Sequence, residues 1–144
     1  MYDTVLVPTD GSDVSFTAAE EAISLMASDG RLYALAVIEE LPLYKQSGKG
    51  AKLAKPDDTA ERTHLDEVTS RIESMAAEAG IDCETTVTSG VPFREIIQHA
   101  GDVNADAIVL GKRGAGAAAN DLLGSTTERV VARASPTVIS VSGR

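Results

Sequence analysis

Glycines and cations crowd one segment of the chain, Gly111-Lys112-Arg113-Gly114-Ala115-Gly116, which continues through Ala117 to Leu123 and closes on Gly124-Ser125-Thr126-Thr127-Glu128. It starts directly after an apolar stretch that reads as a strand and ends directly before one that reads as a helix. Glycines let backbone approach a ligand closely and adopt positive φ, and the unpaired N–H groups and positive dipole end of the next helix favour a phosphate. Lys112 and Arg113 add local positive charge. A second reading needs no ligand: Ser125 and Glu128 have the spacing of a capping box, in which they satisfy the helix terminus between them. The box leaves the preceding glycines and cations unexplained, so both readings stand on these residues alone.

The elements that must hold this loop follow from apolar spacing. Thr4-Val5-Leu6-Val7 reads as a buried strand feeding Pro8-Thr9-Asp10-Gly11-Ser12, a cluster of turn formers and helix caps. Phe16, Ala19, Ile23 and Met26 form a helical stripe that Gly30 is expected to end as a left-handed cap. Leu32 to Ile38 reads as the second strand, Leu65, Val68, Ile72, Met75 and Ala79 as the next helical stripe before Gly80, and Ile81 to Thr88 as the third strand. Pro92 suits the first position of a helix carrying Ile96, Ile97 and Ala100, and Ala107-Ile108-Val109-Leu110 is the most uniformly apolar strand. Ser125 to Ala134 reads as the last helix and Thr137 to Val141 as the last strand.

Strands alternating with helices predict a single α/β domain over residues 1–144, a three-layer sandwich around a five-stranded, mainly parallel sheet. Ligands bind such sheets beyond the carboxyl ends of the strands, where the winding direction switches. The loops after the first and fourth strands are therefore the expected site. The long connection Glu39 to Asp58 carries Lys45, Lys49, Lys52 and Lys55, and reads either as a surface loop or as a lid over an anion.

Composition narrows the function. Of 144 residues, 22 are Asp or Glu and 13 are Lys or Arg, giving a formal net charge of −9 that repels phosphate backbones and anionic membranes. No nucleic acid and no membrane partner is expected. The acidic excess would suit a high-salt cytoplasm. Cys83 is the single cysteine, so an internal disulfide and a cysteine zinc site are excluded. No apolar run approaches the roughly 18 residues of a membrane span, and the first residues do not look like a secretory signal, so a cytoplasmic location is expected.

Gly111, Gly114, Gly124 and Ser125 together match a GxxGx₉G[ST] pattern, and in this the chain resembles the universal stress protein family. Val5-Leu6-Val7-Pro8-Thr9-Asp10-Gly11-Ser12, Ala36-Val37-Ile38-Glu39, Gly90-Val91-Pro92, Gly124 to Arg133 and Pro136 to Val141 extend the likeness over essentially the whole chain. The resemblance implies strand order 3-2-1-4-5 and, for members with the glycine pattern, ATP as ligand. It implies that Asp10 meets the ribose hydroxyls and backbone around Val37 meets the adenine edge, with Pro8 and Thr9 shaping one wall. Gly111 and Gly114 would lie along the ribose and α-phosphate, with Leu110 and Arg113 also among the nucleotide-binding residues, and Gly124, Ser125 and Thr126 at the β- and γ-phosphates, with Mg or Mn bridging phosphate oxygens. Ala117-Ala118-Ala119-Asn120-Asp121 departs from the family's usual bulkier or basic segment, and leaves open whether Asp121 faces the phosphates.

Hydrolysis would need a group to orient or deprotonate water, and none presents itself: His64 and His99 fall on predicted helices and not in the ligand loops. The first reading is a regulatory nucleotide binder with at most slow turnover. The alternatives are a dimeric stress-response interaction module with a vestigial site, and a slow ATPase or phosphotransferase. Family members commonly pair their last strand across a two-fold axis, so a homodimer through Val138 to Val141 is expected.

Overall fold

Val5, Leu6, Val7, Ile108 and Val109 are wholly buried, which is the state expected of strands covered on both faces. The computed structural model describes residues 1–40, 58–112 and 124–143. The elements run β1 (Tyr2–Thr9), α1 (Asp13–Leu25), β2 (Met26–Glu39), α2 (Asp58–Glu78), β3 (Asp82–Gly90), α3 (Pro92–Asp102), β4 (Ala107–Gly111), α4 (Ser125–Arg133) and β5 (Thr137–Val141). All neighbouring strands pair in parallel, in the order β3-β2-β1-β4-β5. Fold class and strand order are thus as expected. Two core layers flank the sheet: Phe16, Ala19, Ala22, Val68, Ile72 and Ala76 of α1 and α2 pack on one face, and Ile96, Ala100 and Val130 of α3 and α4 on the other.

Two helices end as their sequences demand. Gly80 has φ +75°, its N–H donates to Ala77 O (3.0 Å), and the Ile81 N–H donates to Ala76 O (2.9 Å), a Schellman pair. A Cβ at Gly80 would meet nothing within 4 Å, so the backbone angle alone favours glycine. Asn104, at φ 54°, closes α3 in the same way through Asn104 N–H to Gly101 O and Ala105 N–H to Ala100 O. The start of β4 is tied to β1 by Asp106, whose Oδ2 accepts from the N–H groups of Asp3 (3.0 Å) and Thr4 (2.9 Å).

The expected cap at Gly30 is not found. α1 stops at Leu25, Met26 already belongs to β2 and pairs with Tyr2, and Gly30 lies inside the strand without positive φ. Crowding explains the glycine: a Cβ there would lie 2.7 Å from Asp3 O and 2.7 Å from Met26 Cε. The pairing with β1 jumps from Tyr2↔Met26 to Thr4↔Arg31 across a bulge that holds Gly30, and Met26 still reaches the core, 3 % exposed, so the apolar spacing was right about burial and wrong about the element.

Candidate functional site

The first and fourth strands pair only at Val5↔Ala107 and Leu6↔Ile108, although β1 continues to Thr9 and β4 to Gly111. Past that point they part, and they do so at the carboxyl edge where the winding direction reverses. A crevice between them follows from the topology. Its described walls are the β1–α1 loop, the end of β2, and residues 111–112 and 124–127 at the end of β4 and the start of α4.

The β1–α1 wall is tightened by its own side chains. Pro8 is buried and aligned with Leu35. Thr9, 7 % exposed, shares a 2.8 Å hydrogen bond with the Ser15 hydroxyl and accepts from the Gly11 N–H, while the Ser15 hydroxyl donates to Ser12 O. Gly11 takes φ +83°, which turns the chain between the exposed Asp10 and the cap of α1. Asp10 Oδ1 accepts from the Ser12 N–H (3.0 Å), and Ser12 Oγ accepts from the Ser15 N–H. Asp10 is therefore presented from a loop with a defined shape. Ser15 belongs to this wall although the sequence reading passed over it; a serine in the first turn of a helix carries no signal that its hydroxyl will face inward.

Along β2, pairing with β1 ends at Thr9↔Ala36, whereas pairing with β3 runs on through Val37↔Thr88 to Glu39↔Gly90. From Val37 onward the β1-facing edge of β2 borders the crevice, which leaves main-chain groups for a planar ligand edge.

On the other side, Leu110 is 4 % exposed and packs in the α3/α4 core, so only its backbone faces outward. Gly111 ends β4, and its carbonyl accepts from the Thr127 hydroxyl at 2.7 Å. The Lys112 N–H donates to Val141 O and its carbonyl accepts from the Gly124 N–H, both at 2.7 Å. These bonds bring residues 111–112 and 124–127 together at one place. Arg113 and Gly114 lie outside the described residues, as do Ala117 to Asp121 and the lysines at 45, 49, 52 and 55.

The capping-box reading of Ser125 is corrected. The N-cap is Gly124 (φ −68°, ψ 155°), Ser125 is the first helical residue, and no side chain among the described residues caps the helix. Glu128 N–H closes the first turn onto Gly124 O at 2.9 Å. Because Thr127 is turned to Gly111 O and glycine has no side chain, the N–H groups of Ser125, Thr126 and Thr127 have no acceptor among the described residues.

Both histidines lie on helices, as expected, but one stands closer to the crevice than sequence suggests. His64 of α2 is exposed, and a Cβ at Gly11 would be 3.5 Å from its Nε2. His99 sits edge-on to Tyr33 (6.3 Å between ring centres) with a buried Nε2 that has no hydrogen-bond partner among the described residues, on the α3 side of the sheet. Among the described residues no cluster of three His, Cys, Asp or Glu is placed to hold a metal ion. Nor is any helix long and apolar enough to cross a membrane. Cys83 is on β3, and burial is the first cause that pushes its thiol up to about 11.

With this geometry in place, comparison with known proteins is direct. The model of the universal stress protein family matches residues 1–142, and the chain belongs to that family. It is 34 % identical over 142 residues to Universal stress protein MJ0531 of Methanocaldococcus jannaschii, covering 98 % of this chain and 82 % of that protein. The solved structure of universal stress protein UspA from Lactobacillus plantarum superposes with a TM-score of 0.83 at 27 % identity, covering 97 % of each chain. A universal stress protein crystallised in complex with cAMP gives 0.72 at 26 % identity, covering 99 % of this chain and 98 % of that one.

Proposed function

We propose that this universal stress protein binds ATP in the crevice between β1 and β4 and serves as a regulatory nucleotide binder in the stress response, with at most slow turnover. The observation that carries the reading is the start of α4: main-chain N–H groups that no side chain among the described residues caps, at the edge where β1 and β4 part. Asp10 would receive the ribose hydroxyls, backbone from Val37 onward the adenine edge, and Gly124, Ser125 and Thr126 the terminal phosphates. Gly111 would line the path between them, joined by Arg113 and Gly114. That a related protein was crystallised with cAMP supports an adenine nucleotide.

Among the described residues no group of three His, Cys, Asp or Glu is placed for a metal, and the reading assigns none to the protein itself. A divalent ion, Mg or Mn, would arrive on the phosphates. The reading assigns no catalytic residue. Calorimetry with ATP and magnesium tests it: saturable binding with one nucleotide per chain is expected, and no heat at millimolar nucleotide would overturn it. Mass spectrometry under native conditions adds whether an adenine nucleotide travels with the purified protein.

The same reading includes a homodimer through Val138 to Val141. β5 is the last strand of the sheet, and Val138, Ile139 and Val141 are only half-buried, an apolar edge that a second copy could pair. Sedimentation at micromolar concentration is expected to give twice the chain mass; the mass of one chain would refute the dimer.

A further inference from the structure

The two helical layers differ in charge. α1 and α2 are dominated by carboxylates, among them Glu20, Glu21, Glu61, Glu67 and Glu73, whereas α3 and α4 gather Arg94, Arg129 and Arg133 on one aromatic ring. The three guanidinium carbons lie 5.6, 5.3 and 5.2 Å from the centre of the half-buried Phe93 ring, and all three side chains are exposed. None is paired with a carboxylate among the described residues. Glu95, the nearest acid in sequence to Arg94, is turned to Gly90 instead, its carboxyl carbon 2.9 Å from where a Gly90 Cβ would be.

Packing alone does not account for this. Arg71 shows an arginine stacked on a ring, 3.9 Å above Phe16, and one cation suffices there. Three cations around one ring repel each other, and they do so without a carboxylate partner among the described residues, on a chain whose net charge is −9. Such an arrangement gains stability when an anion is brought to it from outside. We propose that Phe93, Arg94, Arg129 and Arg133 form a docking surface for a short acidic peptide segment of a protein partner, separate from the nucleotide crevice.

The choice of occupant follows from shape and charge. Guanidinium forks match carboxylates in bidentate geometry, and the ring between them accepts an apolar side chain. A nucleic-acid strand would extend its phosphates past this small patch into the field of an acidic molecule, whereas a few carboxylates on a folded partner would meet only the patch.

The test uses the full chain and a fluorescently labelled Asp/Glu-rich peptide containing one leucine, read by anisotropy at low salt. Saturable binding is expected, weakened at least about tenfold in the Arg129→Gln/Arg133→Gln variant and by added salt, with ATP affinity unchanged in that variant. No binding, or equal binding by the variant, overturns the proposal. Tighter binding of a single-stranded oligonucleotide or of pyrophosphate at the same arginines overturns the peptide as occupant. Should the double variant fail to fold by circular dichroism, Arg94→Gln, on the other helix, is read in its place with the same expectation.

Discussion

α1 and α4 both begin at the carboxyl edge of the sheet, on opposite sides of the crevice, and they begin differently. α1 has a serine cap, an Asx turn from Asp10 and a buried Thr9–Ser15 bond behind it, so its first turn is satisfied by local side chains. α4 has glycine at the cap, and its inward-facing threonine is committed to the β4 carbonyl. One helix start is closed by its own side chains; the other is tied to the end of β4 through Thr127 and Gly124, and the N–H groups of Ser125, Thr126 and Thr127 have no acceptor among the described residues. The contrast teaches that a helix start keeps donors available to an anion only where neither a cap side chain nor a neighbouring hydroxyl takes them.

Changing Gly124 breaks the contrast most severely. Its extended backbone accepts a β-branched residue, so Gly124→Val is expected to keep the fold, at a cost of up to about 1 kcal/mol because valine is a poorer N-cap than glycine, while lowering ATP affinity at least about a hundredfold by calorimetry. Gly124→Asp sharpens the same point by making α4 resemble α1: a carboxylate cap should raise stability by a few tenths of a kcal/mol and displace the phosphates. A variant that gained stability and kept ATP would place the ligand elsewhere.

Next in size is Thr127→Val, which preserves shape but strands the Gly111 carbonyl, at an expected cost of about 1–3 kcal/mol in urea unfolding and some nucleotide affinity. Ser12→Ala should cost about 1 kcal/mol of stability through the α1 cap. Its effect on ATP should be smaller than that of Thr127→Val, because the α1 start shapes the wall without donating to phosphate.

The smallest effect is expected at Cys83, on the far side of β2. With its thiol pushed up to about 11, alkylation near pH 8 should be about a hundredfold slower than for a thiol at the ordinary value of 9.0. Because the folded state disfavours the thiolate, this group's contribution to stability is fully present below the ordinary value and is lost as pH climbs from there toward 11. ATP should leave the alkylation rate unchanged; protection would move the site to the β3 side.

Much of this was legible in residues alone, for identifiable reasons. The α/β alternation followed from strands too apolar to face water and from glycine and proline at helix ends, and Gly80, Pro92 and the β4 run behave as their types dictate because local sterics act within a few residues. The candidate loops followed from glycine spacing and the switch-point rule.

What one residue type allows in two settings was settled only in three dimensions. Gly30 is a close-approach glycine because Asp3 O and Met26 Cε crowd it, and Asp3 is remote from it in sequence. Ser125 has a cap's chemistry but stands one position too late, because Gly124 is drawn to Lys112 O and Thr127 to Gly111 O across the loop. Likewise Ser15 turns inward to Thr9, and the arginines of two helices converge on one Phe93 ring. Periodicity and residue type decide which faces are buried and where helices stop, since those forces are short in range along the chain. Which donors remain open to a ligand depends on partners that only folding brings near.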